Sequence, residues 1–367
     1  MLTSLRRNVD KFGDIRIMKK TTKRGEAIRS FIIQGIPNHP SDIVNITCKK
    51  FGITRQAVNR YIQEMVTHEL IIAQGNTSQR KYSLKVLLKK AFTLPLAQLQ
   101  EDIFWRDQIR DILEPCPKNV LEIWQYSITE MVNNAIDHSN GTTLTAIIEV
   151  NAFQTELYIR DDGIGIFRKI KEECQLEDER HAVLELAKGK LTTDPARHTG
   201  EGIFFTSRML DDFAVLSGDV FFTHKFGEDE DWISQRDKPD KGTSVFMYLA
   251  NKSPRTVKEV FDRFASADED YGFNKTVVPV RMARHGAEQL VSRSQAKRLL
   301  SRVDRFNIVI FDFAAVDSIG QAFADEIFRV FERNYPNIRF LTANTSEAID
   351  QMINRARSNT QAQPEAG

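Results

Sequence analysis

The sequence predicts a multidomain protein of mixed α and β structure, on three observations. The chain of 367 residues is long enough for two or three domains, each with its own core. The hydrophobic pattern changes along the chain, from a mostly helical head, through a middle of helix and strands, to an end where strands and helices alternate. Charge is segregated as well. Residues 1–100 hold 18 Lys/Arg against 6 Asp/Glu, a net charge of +12, and the remainder carries −11, although the whole chain carries only +1.

Composition excludes several classes of protein. No apolar run approaches the 18 or more residues of a membrane span, so no membrane partner is expected. The N-terminus lacks the apolar core of a signal peptide. Three widely separated cysteines, Cys48, Cys116 and Cys174, indicate reduced thiols in a cytoplasmic protein, and the seven histidines show no zinc-binding spacing.

Two interruptions in the pattern set the expected domain boundaries. One lies at Thr93–Pro95, and the other lies in the stretch 251–270, where Ser253-Pro254 precedes a charged, helix-like run. The predicted segments are a lead at 1–19, a head domain at 20–93, a middle domain at 100–250, a linker at 251–271, an α/β end domain at 272–357 and a disordered tail at 358–367.

The head predicts three helices followed by a two-stranded β-wing. Gly52 is placed to end the second helix, and Thr54 is placed to cap the third, whose apolar residues share one face. A Gly75-Asn76 turn then separates two short strand-like runs. Two helices joined through a glycine turn form a helix-turn-helix, and with its wing the segment resembles the winged helix-turn-helix domains of bacterial regulators.

Polar and basic residues of the head are placed to contact double-stranded DNA. They begin the third helix opposite its apolar face, which suits base edges and phosphates of a major groove. The return strand of the wing is also basic, and the net charge of the head favours the same partner. The alternative is a small helical domain that binds protein. The candidate DNA-binding residues are Arg55, Gln56, Asn59, Arg60, Arg80 and Lys81.

The middle domain begins with an amphipathic helix over residues 120–140 that carries a polar row. Glu130, Asn134 and His138 recur at i, i+4 and i+8, so a carboxylate, an amide and an imidazole share one face. A carboxylate beside an amide could activate a water molecule and hold a hard cation through oxygen. The alternative for this helix in isolation is a polar stripe that faces solvent.

Three further motifs follow this helix in order. Asp161 ends a predicted strand, where its carboxylate could accept a hydrogen bond from an exocyclic amine, and the glycines after it let the backbone approach a flat ring. Glycines before the helix that runs to Leu210 would present backbone N–H groups to phosphate. A strand then opens at Lys241-Gly242-Thr243. The glycines are Gly163, Gly165, Gly200 and Gly202.

Over residues 105–250, this ordered set resembles the GHKL ATPase family, whose domain is an α+β sandwich of the Bergerat type. The resemblance implies ATP and Mg²⁺ as cofactors, with Glu130 as general base and Asn134 as magnesium ligand. It implies that Asp161 contacts the adenine amine and that Thr243 lies near the base. Gly163 and Gly165 would shape the pocket, Gly200 and Gly202 would border the phosphates, and His138 would end the N-box that begins at Glu130.

The same resemblance implies an ATP lid from His181 to His198. Within the family, the spacing looks most like that of anti-sigma-factor serine kinases. Whether ATP is hydrolysed, transferred or only bound is left open. The lid residues that could reach phosphates are Lys188, Lys190, Thr192, Thr193 and His198.

The end domain alternates strands and helices, which predicts a parallel or mixed sheet. Its order, together with the turn Asp317-Ser318-Ile319-Gly320, resembles STAS domains, which are the partners of anti-sigma-factor kinases. Ile319 stands where STAS antagonists usually carry the phosphorylated serine. Ser318 beside it could accept phosphate near a helix N-terminus, although the plainer role is that of a turn or cap residue.

Three function classes follow from these motifs. The favoured one is a bacterial, ATP-switched transcription factor, in which nucleotide binding changes how the flanking domains pack. The second is a serine kinase or ATPase that acts on a STAS or sigma-factor-type partner, in the same chain or another. The third is a defence or signalling ATPase whose winged helix binds protein. A homodimer is compatible with all three.

Overall fold

The computed structural model describes residues 22–76, 79–190, 200–227, 232–264, 274–284 and 288–358. Over these residues the protein has mixed α and β structure with several sheets. None of the described helices is both long enough and apolar enough to cross a membrane. The predicted lead at 1–19 lies outside the described residues, as does the predicted tail from residue 359 on.

The N-terminal module consists of three helices and a hairpin. The Thr22 and Thr54 hydroxyls accept hydrogen bonds from backbone N–H groups of the first turns of α1 and α3, and Gly52 ends α2 in the left-handed conformation (φ 62°) that glycine adopts without strain. The Gly52 stop and the Thr54 cap lie where the sequence predicts them. The elements are α1 (Lys23–Gly35), α2 (Ile43–Phe51), α3 (Arg55–Thr67), β1 (Ile71–Gln74) and β2 (Lys81–Leu84), with β1 and β2 antiparallel.

The middle of the chain forms a five-stranded antiparallel sheet in the order β3-β4-β5-β7-β6. In β4 and β5, buried and half-buried residues alternate, as expected for strands with one face on the core. The strands are β3 (Leu88–Pro95), β4 (Thr143–Val150), β5 (Gln154–Asp161), β6 (Asp212–Lys225) and β7 (Trp232–Ala250).

The predicted boundary at Thr93–Pro95 falls inside β3. This strand pairs with β4 along its whole length, from Leu88 opposite Val150 to Pro95 opposite Thr143. Its lysines give it the charge of the head, but its backbone hydrogen bonds place it in the central sheet. The backbone N–H of Lys85 still donates to Leu70 of the head, whereas that of Leu87 donates to Val150 of the central sheet, so the head ends near Leu87.

Helices pack against one another and against this sheet to build the main core. A segment of three consecutive helical pieces, together called α4, precedes the long α5, which contacts β5, and α6 and α8 contact β6. The helices are α4 (Glu101–Phe104, Trp105–Ile109 and Arg110–Leu113), α5 (Lys118–His138), α6 (Ile166–Cys174), α7 (Glu179–Lys188) and α8 (Gly202–Met209).

The predicted linker contains a helix, α9 (Val257–Phe264), that belongs to the central core. The ring centroids of Phe261 and Phe205 lie 4.2 Å apart, and those of Phe264 and Phe204 lie 4.9 Å apart. The Asn119 amide on α5 also donates to two backbone carbonyls of the segment that leads into α9. The stretch 251–264 therefore packs on the central module along its length.

The C-terminal module has a three-stranded parallel sheet in the order β10-β9-β8, as strand–helix alternation predicts. It shares one continuous apolar core with the central module, whereas the N-terminal module has a core of its own that takes in Ala152 from the β4–β5 turn. The elements are β8 (Lys275–Pro279), α10 (Arg293–Leu300), β9 (Ile308–Asp312), α11 (Gln321–Asp325, continued by Glu326–Phe331 and Glu332–Asn334), β10 (Arg339–Ala343) and α12 (Glu347–Ser358).

Candidate ligand-binding site

A cavity of about 400 Å³ lies where α5, α6 and α8 meet the end of β5 and the middle of β7. Its wall combines apolar side chains with a few polar groups, the mixture that small-molecule sites generally show. Seven of the predicted site residues line it, although they come from four separate parts of the chain. They are Glu130, Asn134, His138, Asp161, Gly200, Gly202 and Thr243.

The polar row of α5 faces this cavity. Glu130, Asn134 and His138 line it at successive turns of the helix, so the polar face does not form a solvent stripe. The amide nitrogen Nδ2 of Asn134 is buried and has no hydrogen-bond partner among the described residues. Because burying an amide without a partner costs free energy, this group is suited to a ligand or a bound water.

Asp161 forms the polar floor of the cavity at the end of β5. It is 5% exposed, and its Oδ1 accepts hydrogen bonds from the backbone N–H groups of Gly163 at 2.9 Å and Thr243 at 3.2 Å. The other oxygen, Oδ2, takes no part in these two bonds. The Thr243 hydroxyl in turn accepts from the backbone N–H of Ile166 at 3.1 Å, so the loop after β5 is tied to β7. Burial raises the pKa of Asp161, although these hydrogen bonds oppose the rise.

The neighbouring Asp162 points to the outside of the site and joins two of its elements. Its carboxylate accepts hydrogen bonds from the backbone N–H groups of Thr142 and Thr143 and from the Thr142 hydroxyl. These bonds lower its pKa to about 2 and hold the connection between α5 and β4 against the end of β5. The two consecutive aspartates thus have opposite surroundings.

The predicted glycines fall into two groups. Gly200 and Gly202 line the cavity, whereas Gly163 and Gly165 are not among its lining residues. A β-carbon at Gly163 would overlap the carbonyl of Ser139, so only glycine lets this loop pass so close to the end of α5. Gly165 directly precedes α6.

The predicted lid lysines point away from the cavity. Lys188 is 1% exposed, and its ammonium contacts the C-terminal module. The ammonium of Lys190 contacts the same module and lies 3.1 Å from Asn274 Oδ1 and 3.1 Å from the carbonyl oxygen of Arg305. The remaining lid candidates Thr192, Thr193 and His198 lie outside the described residues.

Several lining residues have no signal in the sequence that would single them out. Lys169 and Ile170 of α6, Leu186 of α7 and Val215 of β6 all face the cavity. Each reads locally as an ordinary member of an amphipathic helix or a strand. Only Asn133 carries a hint, because it directly precedes Asn134.

The six candidate DNA-binding residues are all exposed. On α3, Val58, Ile62 and Met65 are buried, and the predicted base-reading side chains lie on the other face. None of Arg55, Arg60, Arg80 and Lys81 takes part in an ion pair with another described residue. The basic face of the head and the basic strand of the hairpin are thus open to solvent.

Ser318 is exposed in the turn between β9 and α11. The Asp317 carbonyl beside it accepts a hydrogen bond from the Ser346 hydroxyl, and Gly320 stands at the N-cap of α11. The turn therefore joins the start of α11 to the segment before α12. These contacts give Ser318 the setting of a turn residue.

Comparison with known families supports one part of the chain directly. Residues 295–350 match the family described as a STAS-like domain of unknown function (DUF4325). The C-terminal module is therefore STAS-like, as its strand order and Asp-Ser-Ile-Gly turn predict. A search of curated proteins found no match to the chain.

Proposed function

We propose that the central cavity binds Mg²⁺-ATP in the manner of the GHKL ATPase family, and that this binding controls DNA binding by the N-terminal module. The geometry of Asp161 carries the proposal. One carboxylate oxygen is held by two backbone N–H groups, while the other can accept a hydrogen bond from an exocyclic amine at the floor of an apolar cavity. That combination recognises adenine.

The other cavity residues suit the rest of the nucleotide. A wall of Ile159, Ile166, Val215 and Val245 provides apolar surface for a flat ring. Gly200 and Gly202 bring backbone to the cavity wall, where backbone N–H groups before a helix can donate to phosphates. The cavity volume of about 400 Å³ lies within the range of small-molecule sites.

The residues present fit a magnesium ion that arrives with the nucleotide. Among the described residues no three His, Cys, Asp or Glu side chains are grouped to hold a metal by themselves. Magnesium is commonly held by one or two protein oxygens together with substrate phosphates, and the side-chain carbonyl oxygen of Asn134, which lines the cavity, can supply one. Glu130, one turn away on α5, is placed to act as general base toward a water molecule.

The proposal for the N-terminal module rests on exposure and charge. In a winged helix-turn-helix, the second helix of the motif enters the major groove of DNA. In this protein that helix is α3, and its polar first turn is exposed to solvent. The hairpin carries the exposed Arg80 and Lys81 at the start of its return strand, where they can reach phosphates. Solvent-facing cations that form no ion pair with another described residue favour a polyanionic partner.

The nucleotide site is tested by calorimetric titration of the full-length protein with ATP, with and without Mg²⁺. We expect wild type to bind in both conditions and more tightly with Mg²⁺. Asn134→Ala should lose the magnesium effect. Gln125→Ala, which changes an exposed residue of the same helix, should behave as wild type. Failure of wild type to bind ATP in either condition would refute the nucleotide proposal.

The switch is tested separately on DNA. Affinity for random-sequence duplexes should differ between the protein alone and the protein saturated with Mg²⁺-ATP, and the difference should shrink in Asn134→Ala. Equal affinity in all three states would refute control by nucleotide while leaving DNA binding itself intact.

A further inference from the structure

Helix α7 stands between the ligand cavity and the STAS-like module. Leu186 lines the cavity, and its neighbours on other faces of the helix, Glu185 and Lys188, are 2% and 1% exposed. A lysine and a glutamate are almost never buried this completely unless they are paired. The partners of this buried pair therefore decide how it is stabilised.

Lys188 caps a helix that belongs to the other module. Its ammonium donates to Glu185 Oε1 at 2.7 Å, to the Ser301 carbonyl at 2.7 Å and to the Arg298 carbonyl at 3.3 Å. The two carbonyls lie at the C-terminal end of α10, where the last carbonyls have no donor within the helix. All three N–H bonds of the ammonium are thus used, two of them on the STAS-like module.

The STAS-like module returns the same kind of bond. The Thr276 hydroxyl of β8 donates to the carbonyl of Lys188 at 2.6 Å, and that carbonyl stands at the C-terminal end of α7. Two residues further on, the Lys190 ammonium bonds the carbonyl of Arg305 at 3.1 Å, while Arg305 Nη1 donates to the carbonyl of Lys190 at 2.9 Å. Side chains of each module therefore donate hydrogen bonds to backbone carbonyls of the other.

Glu185 and Lys188, both on α7, form a buried ion pair at the contact between the modules. Burial raises the pKa of Glu185, but the charge of Lys188 and its hydrogen bond outweigh burial, so the pKa of Glu185 is lowered. Burial lowers the pKa of Lys188, and the charge of Glu185 opposes that change. The His181 Nε2 atom lies 3.5 Å from Glu185 Oε1 on the same helix. If α10 moved away, the ammonium would lose two acceptors and the helix end would lose its donors, so the contact favours one discrete arrangement.

We infer that Lys188 is a positioning residue that makes the STAS-like module a regulator of the cavity, because docking of the module on α7 holds Leu186 in the cavity wall. Ligand binding and module docking are then linked in both directions. A ligand pressing on Leu186 acts on the end of α10 through one rigid helix, and a change at α10 acts on the ligand. The inference rests on the proposed nucleotide function.

The test uses the full-length protein and two measurements, the affinity for Mg²⁺-ATP and hydrogen exchange with and without it. In wild type, Mg²⁺-ATP should slow amide exchange in β8 and at the end of α10. In Lys188→Met, which keeps the apolar stem, affinity should fall by about tenfold and the nucleotide should no longer slow this exchange. Lys188→Arg, which keeps the charge, should recover part of the effect. The control Lys297→Met removes a charge from an exposed position of α10 and should leave both measurements unchanged.

A second variant covers the case in which Lys188→Met does not fold. Thr276→Val removes one hydroxyl of nearly equal volume and should shift both measurements in the same direction by a smaller factor. Wild-type affinity in both variants, or exchange in the STAS-like module that is indifferent to Mg²⁺-ATP in wild type, would overturn the inference. The affinity of wild type for Mg²⁺-ATP is measured before any variant is made. If wild type does not bind Mg²⁺-ATP, the proposed function is refuted, and the inference is refuted with it.

Discussion

The carboxylate of Glu130 lies directly against the backbone of Gly202, so closely that a β-carbon at position 202 would overlap it. Glu130 belongs to α5, and Gly202 is the first residue of α8. The absence of a side chain at Gly202 is thus what lets the start of α8 approach the proposed general base. A carboxylate at that end of a helix also interacts favourably with the helix dipole.

Gly202→Ala should therefore displace the Glu130 carboxylate. We expect the affinity for Mg²⁺-ATP and any turnover to fall, with a smaller loss of thermal stability, because the change lies in the cavity wall. Titration calorimetry and thermal unfolding measure the two effects. Gly25→Ala is a matched control, since a β-carbon there would come no closer than 3.4 Å to another side chain. Wild-type nucleotide affinity in Gly202→Ala would contradict the role given to this contact.

Asp161→Asn should abolish adenine recognition while preserving the fold. The asparagine oxygen can still accept from the backbone N–H groups of Gly163 and Thr243, but its NH₂ group faces an adenine amine with a second donor. ATP affinity should drop by at least about tenfold, the factor that corresponds to 1.4 kcal/mol for one lost hydrogen bond. Retained affinity for ATP in this variant would count against adenine at Asp161.

The pH dependence of wild type follows from the same residue. Because burial raises the pKa of Asp161, the carboxylate should take up a proton at a pH above the ordinary aspartate value of about 3.9. Nucleotide affinity should decline as the pH falls through that raised pKa. Stability of the ligand-free protein should gain there, since protonation removes the cost of a buried charge. Affinity that stays flat down to pH 4 would argue against the assignment.

Asp162 should show the opposite linkage. Its folded pKa of about 2 lies below the unfolded value of about 3.9, so its contribution to stability is present above pH 4 and is lost as the pH falls toward 2. Asp162→Asn should remove this dependence. The difference in urea midpoint between wild type and variant, measured from pH 6 to pH 2, should shrink toward zero at the acid end. A difference independent of pH would exclude charge as the cause.

Helix α9 should behave as part of the central core. Phe264 is 6% exposed and packs on Phe204, so Phe264→Ala should lower the free energy of unfolding by about 3 kcal/mol. Urea denaturation measures the loss. Val86→Ala, at an exposed position, should change it by no more than about 0.5 kcal/mol. Similar effects in both variants would mean that the stretch is the passive linker that the sequence predicts.

DNA binding by the head should depend on salt through its free cations. Arg60→Ala should weaken binding to all duplexes and lower the slope of log affinity against log salt by about one, because one phosphate contact is lost. Lys118→Ala removes the same charge from an exposed position on α5 and should not change the slope. Binding without any salt dependence would instead favour a protein partner for the head.

The sequence predicted the local structure that builds the site. The 3.6-residue period of the helix predicted that Glu130, Asn134 and His138 share one face of α5. The position of Asp161 at the end of a predicted strand marked it as a ligand-binding residue. Glycine and threonine placed the helix ends of the head, because capping acts within a few residues. The alternation of strand and helix, with the Asp-Ser-Ile-Gly turn, was enough to predict the STAS-like module that the family comparison supports.

Only the tertiary structure decided which surfaces the charged side chains meet. The sequence assigns most of Leu88–Pro95 to the basic head, but in the structure this strand forms its backbone hydrogen bonds with β4. The sequence assigns α9 to a linker, but in the structure its aromatic rings pack on Phe204 and Phe205. The sequence predicts Lys188 as a phosphate-binding lid residue, yet two of its three hydrogen-bond acceptors are carbonyls more than a hundred residues away. Periodicity and caps are local and so can be predicted from the chain, whereas the burial of a charge depends on partners that only folding brings within reach.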